Sequence, residues 1–184
     1  AVVYSIDVSG HGVASAMMTA RLAGFLTGSS PEQNLAFQTG PEGDHVLLPP
    51  AAVVERFNRL MLEEIQAEQY FTMALAVIDR RSGRLELVQA GHPHPLLFRA
   101  DGRVQKLGQG GLPVGLIAEA GFDAVSVQVH PGDRLVLCSD GFTECPLPNG
   151  RDFGEDGLTE SLRVSSHLSG SDLLEAMVWD LARA

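Results

Sequence analysis

Two acidic segments, each followed closely by glycine, are the residues of this sequence best suited to bind a cation. Asp7 ends an apolar run and opens the segment Asp-Val-Ser-Gly-His-Gly, and Asp140 ends a second apolar run and precedes Gly141. A strand end holds a carboxylate rigidly, while glycine lets the backbone turn so that a hard cation can approach it. The two segments therefore predict one metal site built from distant parts of the chain, as in a metal-dependent hydrolase.

Each aspartate also has an interpretation that involves no metal. Asp7 could cap the helix that is predicted to begin near Gly12, and Asp140 could be a turn aspartate before glycine. We favour the ligand interpretation for both. Gly10 and Gly12 follow the first carboxylate closely, and the apolar run before the second is expected to point it inward. Hard cations prefer oxygen ligands, so aspartates rather than histidines or cysteines are expected at the core of the site.

Two other groups of residues match binding motifs only in part. His92 and His94 form a His-x-His pair, but two ligands cannot complete a tetrahedral zinc site, and no third His or Cys has a suitable spacing. We interpret them as structural histidines flanking a turn at Pro93. The glycines of residues 110–115 are not followed directly by a predicted helix, so an irregular crossing between sheets is favoured over a phosphate cradle. Asp156 is expected to be a first-turn helix carboxylate.

Length and composition limit the class of protein. A chain of 184 residues, 45% of them hydrophobic, can bury one sizeable core, so a single domain covering residues 1–184 is expected. The net charge of −10 argues against nucleic-acid binding, because a phosphate backbone requires basic patches. Neither a membrane span nor a signal peptide is visible, so a cytoplasmic protein without membrane attachment is expected. Cys138 lies in an apolar run and is interpreted as a small core residue.

Hydrophobic periodicity predicts helices near both ends of the sequence and strands between them. Residues 30–50, rich in Pro and Gly, are predicted to form a long loop that is either mobile or functional. This order of elements indicates an α+β protein with antiparallel sheets. The predicted helices cover about 12–28, 51–67, 155–164 and 171–182, and the predicted strands cover 1–8, 70–78, 84–90, 94–99, 103–107, 122–129 and the run that ends at residue 140.

With these elements placed, the sequence resembles the SpoIIE/RsbU-type branch of the metal-dependent PP2C-like serine/threonine protein phosphatases. Each matching motif alone would be weak, but the set occurs in the family's order and covers nearly the whole chain, which makes it specific. The matching segments are 7–16 (DVSGHGVASA), 71–73 (FTM), 90–93 (AGHP), 110–115 (GGLPVG), 132–133 (GD), 139–144 (SDGFTE) and 153–154 (FG).

The resemblance implies a fold, a reaction and a partner. The fold is an α/β/β/α sandwich of two antiparallel sheets flanked by helices. The reaction is the hydrolysis of phosphoserine or phosphothreonine with two Mn²⁺ or Mg²⁺ ions and no covalent phosphoenzyme. Two cations about 3.5–4 Å apart would lower the pKa of a shared water far below that of bulk water, towards about 7. The implied substrate is a phosphorylated STAS-domain anti-sigma-factor antagonist, and a homodimer is compatible with this branch of the family.

The resemblance also assigns roles to individual residues. Asp7 matches the bridging metal ligand, Val8 the position whose backbone carbonyl joins the same site, and Asp140 a second carboxylate ligand. The histidine of the first motif is interpreted as holding loop geometry rather than as a general acid. Three residues are expected beside the ligands, where they shape the loops: Gly10, His11 and Gly141.

The family pattern contains two further aspartates, one upstream of Ala1 and one downstream of Ala184. We therefore expect the chain to be a domain truncated at both ends. This leaves a competing interpretation open, a catalytically incomplete phosphatase-like module that binds a STAS-type partner. A hydrolase for small phosphorylated metabolites is disfavoured, because the sequence indicates no deep basic pocket.

Overall fold

The computed structural model describes residues 1–28, 33–65 and 69–183, apart from the side chain of Glu64. These residues form antiparallel sheets and helices, which confirms the predicted α+β class. The strands are β1 (Val2–Val8), β2 (Phe37–Thr39), β3 (His45–Leu47), β4 (Phe71–Ile78), β5 (Arg84–Ala90), β6 (Leu96–Phe98), β7 (Val104–Lys106), β8 (Ala124–Gln128) and β9 (Arg134–Val136). The helices are α1 (Val13–Thr27), α2 (Pro50–Arg59), continued by a π-helical segment (Leu60–Ile65), α3 (Asp140–Thr143), α4 (Gly154–Val164) and α5 (Gly170–Arg183).

The chain folds into two compact units, of which the first comprises Ala1–His92 and Gly108–Val129. It contains the hairpin β2-β3 and a four-stranded antiparallel sheet in the order β1-β4-β5-β8. The register pairs Asp7 with Thr72 across β1 and β4. Because neighbouring strands alternate in direction, Asp7 lies at the end of the sheet where β4 and β8 begin and β5 ends.

Helices α1 and α2 cover one face of this sheet. The apolar residues of α2 recur at helical spacing, and Val53, Val54 and Phe57 are almost completely buried. In α1 Leu22 is fully buried, whereas Met17 is 69% exposed. Met17 precedes Leu22 by five residues, and this spacing places the two side chains on different sides of a helix with 3.6 residues per turn.

The second unit comprises Pro93–Leu107 and His130–Ala184. Its sheet has three antiparallel strands in the order β7-β6-β9, and its helices are α3, α4 and α5. Its core joins side chains of β6, α4 and α5, namely Leu96, Phe98, Leu158, Leu162, Leu173 and Met177. Within the described residues, no helix combines the length and the apolar character that crossing a membrane would require.

Three element predictions are corrected by the structure. The predicted loop at 30–50 contains the hairpin β2-β3, although residues 29–32 lie outside the described part. The second helix changes to π-helical geometry after Arg59, and its predicted end at residue 67 also lies outside the described part. The strand predicted to run to Asp140 ends at Val136. Strands of three residues are too short to show an alternating pattern, so periodicity does not reveal them or their ends.

Asp133, the acidic residue of the Gly-Asp motif, is a structural residue of the second unit. Its carboxylate accepts hydrogen bonds from Arg99 Nη1 at 2.8 Å and from the backbone N–H groups of Ala100 at 3.0 Å and His130 at 2.9 Å. Burial alone would raise its pKa, but the hydrogen bonds from His130, Ala100 and Arg99 outweigh burial and hold the pKa below its ordinary value. The carboxylate therefore fastens the β6-β7 hairpin to the turn that precedes β9.

We expect Asp133→Asn to lower the free energy of unfolding by about 2 kcal/mol at neutral pH, because hydrogen bonds to a charged acceptor are lost in a nearly buried position. Since the folded-state pKa is depressed, this stabilisation is present above the ordinary aspartate pKa and is lost as the pH falls through the folded-state pKa. Urea unfolding at several pH values measures this, and the difference in the free energy of unfolding between Asp133→Asn and the wild type should become smaller in acid. Asp172→Asn, an exposed first-turn residue of α5, should change stability by no more than about 0.5 kcal/mol. A difference for Asp133→Asn that is independent of pH would contradict the assignment.

Candidate metal-binding site

Asp7 lies one residue before the end of β1 and is half-buried. Its neighbours Ile6 and Val8 pack in the core formed with α1 and α2. Because side chains alternate along a strand, Asp7 is on the sheet face opposite those helices. The side chain of Val8, whose backbone carbonyl is the other predicted ligand, is 7% exposed, which fixes the strand end. Two predicted ligands thus lie on one rigid strand terminus.

A network of serine hydroxyls braces the turn that follows. Ser9 donates its N–H to the carbonyl of Tyr70 at 2.9 Å, and its Oγ accepts the N–H of Tyr70 at 3.1 Å. Ser15 Oγ donates to the Ser9 carbonyl at 3.3 Å and accepts from Gln69 Nε2 at 3.0 Å. Gly10, with φ of +85°, makes the reversal between them. The turn is therefore held from both sides by hydrogen bonds within the protein.

The helix after this turn does not use Asp7 as its cap. Helix α1 begins at Val13 with Gly12 as the capping residue and with no side-chain hydrogen bond to the cap. The capping interpretation of Asp7 is therefore excluded. His11 lies between the two glycines and its side chain is exposed, so it is part of the turn rather than of the core.

Four of the sequence motifs meet at this end of the sheet. All four meet at the segment Phe71–Met73. Thr72 pairs with Asp7, and Met73 forms a bridge with Gly91. Phe71 exchanges two backbone hydrogen bonds with Val114, of 3.0 and 2.8 Å. A Cβ at Gly91 would lie 2.9 Å from Pro113 Cγ, so the close contact between these two motifs requires glycine. Motifs that are far apart in sequence therefore form one cluster beside Asp7.

A threonine–histidine pair, which sequence reasoning had not assigned to the site, lies in this cluster. Thr72 Oγ1 is 2.8 Å from Nδ1 of His92, and His92 is 3% exposed. The carbonyl of His92 also accepts a hydrogen bond of 2.6 Å from Nε2 of Gln89. The sequence signal for the pair was present in the Phe-Thr-Met and Gly-His motifs, but nothing in the sequence showed that their side chains meet.

The glycine-rich segment is fixed by two buried amides. Gln89 Oε1 accepts the N–H of Gly110 at 2.7 Å, and Asn58 Oδ1 accepts the N–H of Gly115 at 2.7 Å. Asn58 also donates to the carbonyl of Ile117 at 2.9 Å. The segment is irregular and connects β7 to β8, which belong to different sheets. This agrees with the irregular crossing between sheets that the sequence favoured over a phosphate cradle.

Asp140 and Gly141 lie in the second unit as the first two residues of α3, and both are exposed. The preceding Ser139 is extended, with φ of −78° and ψ of 168°. The carbonyl of Asp140 accepts the N–H of Glu144 at 2.6 Å, which closes the single turn of this helix. The expectation that a buried strand points this carboxylate inward is therefore wrong. Its carboxylate begins a helical turn instead and is accessible to a cation.

Cys138, just before this turn, is half-buried beside the core of the second unit. Burial, with a contribution from the charge of Glu155, raises the pKa of its thiol to about 11. The thiol is therefore protonated near neutral pH and is a poor nucleophile and a poor metal ligand. This agrees with its interpretation as a structural residue.

His94 is bound to a glutamate of α4. Glu155 Oε1 accepts from His94 Nδ1 at 2.8 Å, and Oε2 binds Lys106 Nζ at 2.7 Å. Burial would raise the pKa of Glu155, but the hydrogen bonds from Lys106 and His94 outweigh it and lower the pKa. His94 and His92 therefore have separate partners, each within its own unit. Asp156 lies in the first turn of α4, as predicted.

The predicted site residues thus form two groups. Asp7, Val8, Gly10 and His11 share one turn of the first unit, and Asp140 begins α3 in the second with Gly141. In residues 1–28, 33–65 and 69–183, no three or more His, Cys, Asp or Glu side chains are grouped so as to hold a metal ion. The predicted donors are two carboxylates and one carbonyl, an all-oxygen set that suits Mn²⁺ or Mg²⁺ better than zinc.

Comparison with known proteins identifies the family. The sequence matches the model of the SpoIIE family (Stage II sporulation protein E) over residues 1–184. The phosphoserine phosphatase RsbU of Bacillus subtilis is 26% identical over 145 residues, which are 78% of this chain and 39% of RsbU. This chain thus spans less than half the length of that relative.

Solved structures identify the fold. The SiaA-PP2C domain of Pseudomonas aeruginosa matches with a TM-score of 0.73 and 22% identity, over 99% of this chain and 72% of that one. The catalytic domain of the serine/threonine protein phosphatase PstP, in complex with two manganese ions, matches with a TM-score of 0.61 and 17% identity, over 97% of this chain and 81% of that one. These matches confirm the predicted PP2C-like fold. Since the family model matches the whole sequence, the chain belongs to the SpoIIE family, whose motifs it carries on a PP2C-type fold.

Proposed function

We propose that this chain hydrolyses phosphoserine or phosphothreonine on a regulatory protein and uses divalent metal ions to do so. The observation that carries the proposal is the meeting of four family motifs around the strand end that bears Asp7. Membership of the SpoIIE family supports it, as does the similarity to RsbU, which is a phosphoserine phosphatase.

The proposed cofactors are two Mn²⁺ or Mg²⁺ ions. Asp7 would bind both ions, the backbone carbonyl of Val8 would contribute to the same site, and Asp140 would bind one ion. The manganese ions in the PstP structure, which has the same fold, support this choice of metal. When bound, the ions would lower the pKa of a water molecule and offset negative charge on the phosphoryl group.

Other residues of the chain hold the proposed ligands in place and leave the site open to the substrate. The hydrogen bonds between Ser9 and Tyr70 hold the end of β1, so Asp7 and Val8 keep their places before an ion binds. Beyond them, among the described residues, no heavy atom from outside the adjoining backbone lies within 4 Å of the place where a Cβ of Gly12 would stand. The turn therefore leaves room for a phosphorylated side chain to approach the strand end.

The proposed substrate is a STAS-domain protein phosphorylated on serine or threonine, as the resemblance to the RsbU branch implies. Such a protein would be recognised through its folded surface as well as its phosphate. The single domain over residues 1–184, the cytoplasmic location and the homodimer stay predictions of the sequence.

Phosphate release from a serine-phosphorylated STAS-domain protein tests the proposal. We expect release with Mn²⁺ or Mg²⁺ and none when EDTA removes the ions. Binding of the phosphoprotein without release in either metal would instead support the incomplete module, which only recognises its partner. Release from free phosphoserine but not from the phosphoprotein would support a metabolite hydrolase and overturn the assignment of substrate.

A further inference from the structure

The position of Thr72 relative to Asp7 follows from the register of the sheet. The two residues are directly opposite each other in the antiparallel pair β1-β4. Side chains of such a pair project from the same face, with Cβ atoms about 4.5–5.5 Å apart. Thr72 is therefore the side chain of β4 that stands beside the proposed metal ligand.

His92 fixes the hydroxyl of this threonine. Its Nδ1 is 2.8 Å from Thr72 Oγ1, and its ring is buried. The backbone of the histidine is itself held, because Gln89 donates to its carbonyl and because Gly91 bridges to Met73. A buried ring on a fixed backbone leaves the threonine hydroxyl few alternative orientations.

The donor and acceptor capacities of the pair suit a neighbouring carboxylate. A threonine hydroxyl has one hydrogen to donate and can also accept hydrogen bonds. If His92 Nδ1–H donates to Thr72 Oγ1, the hydrogen of the threonine is free to point along the shared face towards Asp7. A carboxylate accepts hydrogen bonds only, so this tautomer of His92 is the one that matches the arrangement.

We propose that the Thr72–His92 pair positions the Asp7 carboxylate, so that Asp7 has its binding orientation before a divalent cation arrives. Thr72 and His92 are positioning residues in this scheme, since they act through Asp7. The inference rests on the proposed function, because it takes Asp7 to be a metal ligand. Groups that orient metal ligands typically contribute about 10-fold to 100-fold to metal affinity or activity.

The experiment compares two variants that separate the hydroxyl from the shape of the side chain. Thr72→Val keeps the β-branched shape and removes the hydroxyl, whereas Thr72→Ser keeps the hydroxyl. Mn²⁺ affinity is measured by calorimetric titration, and stability by chemical denaturation. We expect Thr72→Val to weaken Mn²⁺ binding by at least about 10-fold and Thr72→Ser to restore it to near the wild-type value.

The control Leu75→Val lies on the same strand and on the other face, where it loosens the core away from Asp7. A purely structural role for Thr72 predicts that Thr72→Val and Leu75→Val, if equally destabilised, bind Mn²⁺ equally well. That result would overturn the proposal, as would equal affinities of the valine and serine variants.

A second measurement does not depend on metal binding. In crystal structures without metal, Asp7 should have the same single side-chain rotamer in the wild type and in Thr72→Ser. In Thr72→Val it should have a different rotamer or two alternative rotamers. An unchanged Asp7 rotamer in Thr72→Val would overturn the positioning role. If the wild type binds no Mn²⁺ but the rotamer changes as expected, the proposed metal function fails while the positioning of Asp7 stands.

Discussion

Asp7→Asn should abolish Mn²⁺-dependent phosphate release while the fold remains intact. Asparagine keeps the shape of the side chain but removes the charge that a hard cation requires. Residues that merely orient a ligand contribute about 10-fold to 100-fold, so the loss of a direct ligand should reduce activity by more than about 100-fold. The measurements are phosphate release from the phosphorylated STAS-domain protein, Mn²⁺ affinity by calorimetry and the far-UV circular dichroism spectrum.

Asp123→Asn is the matched control for this variant. Asp123 is an exposed aspartate directly before β8, at the same end of the sheet as Asp7 but three strands away. Strands are spaced by about 4.8 Å, so the two carboxylates are well separated. The control should keep wild-type activity. Near-normal activity of Asp7→Asn would refute its assignment as a ligand.

The same comparison is available in the second unit. Asp140→Asn should also lose most of its activity, whereas Asp156→Asn, an exposed carboxylate in the first turn of α4, should not. If only Asp7→Asn were inactive, the metal site would not include Asp140.

Phe57→Ala should produce the largest loss of stability. The ring is fully buried and meets Phe25 and Phe71 nearly edge to face, with centroids 6.4 and 5.8 Å apart. It thereby joins α2 to both α1 and β4. Removing a buried aromatic side chain lowers the free energy of unfolding by about 3–5 kcal/mol. This is a large part of the total free energy of unfolding of a typical protein, which is roughly 5–15 kcal/mol.

Equilibrium unfolding in urea measures this loss, with Leu174→Ala as the control. Leu174 is 63% exposed, so its truncation should change the free energy of unfolding by no more than about 0.5 kcal/mol. Because Phe57→Ala could leave too little folded protein to measure, Phe57→Leu provides a smaller loss of the same sign. A loss below about 1 kcal/mol for Phe57→Ala would contradict the central role of this ring.

Local patterns in the sequence predicted most of the longer elements. The sheet strands of the first unit and helices α1, α4 and α5 alternate or repeat over enough residues to be recognised, and the Asp101-Gly102 turn marked the hairpin β6-β7. The same patterns missed β2 and β3 and placed the end of β9 too late. Each of these strands has three residues, so neighbouring turns dominate its composition.

In the candidate site, too, local features could be predicted from the sequence and contacts between distant residues could not. Asp7 and Asp140 could be selected from the sequence because residue type and adjacent glycines are local features. Asp133 could not be recognised as structural, because its partners Arg99 and Ala100 lie more than thirty residues away and are brought to it by the β6-β7 hairpin.

For this protein, the sequence alone determined which residues can do chemistry, the order of the main elements and the family to which they belong. Only the tertiary structure decided that Thr72 stands opposite Asp7, that His92 holds its hydroxyl and that Asp140 begins a helical turn rather than ending a strand. The reason is physical. Local patterns follow from the repeat of a strand or helix, whereas these contacts depend on the register between segments far apart in the chain, which only packing sets.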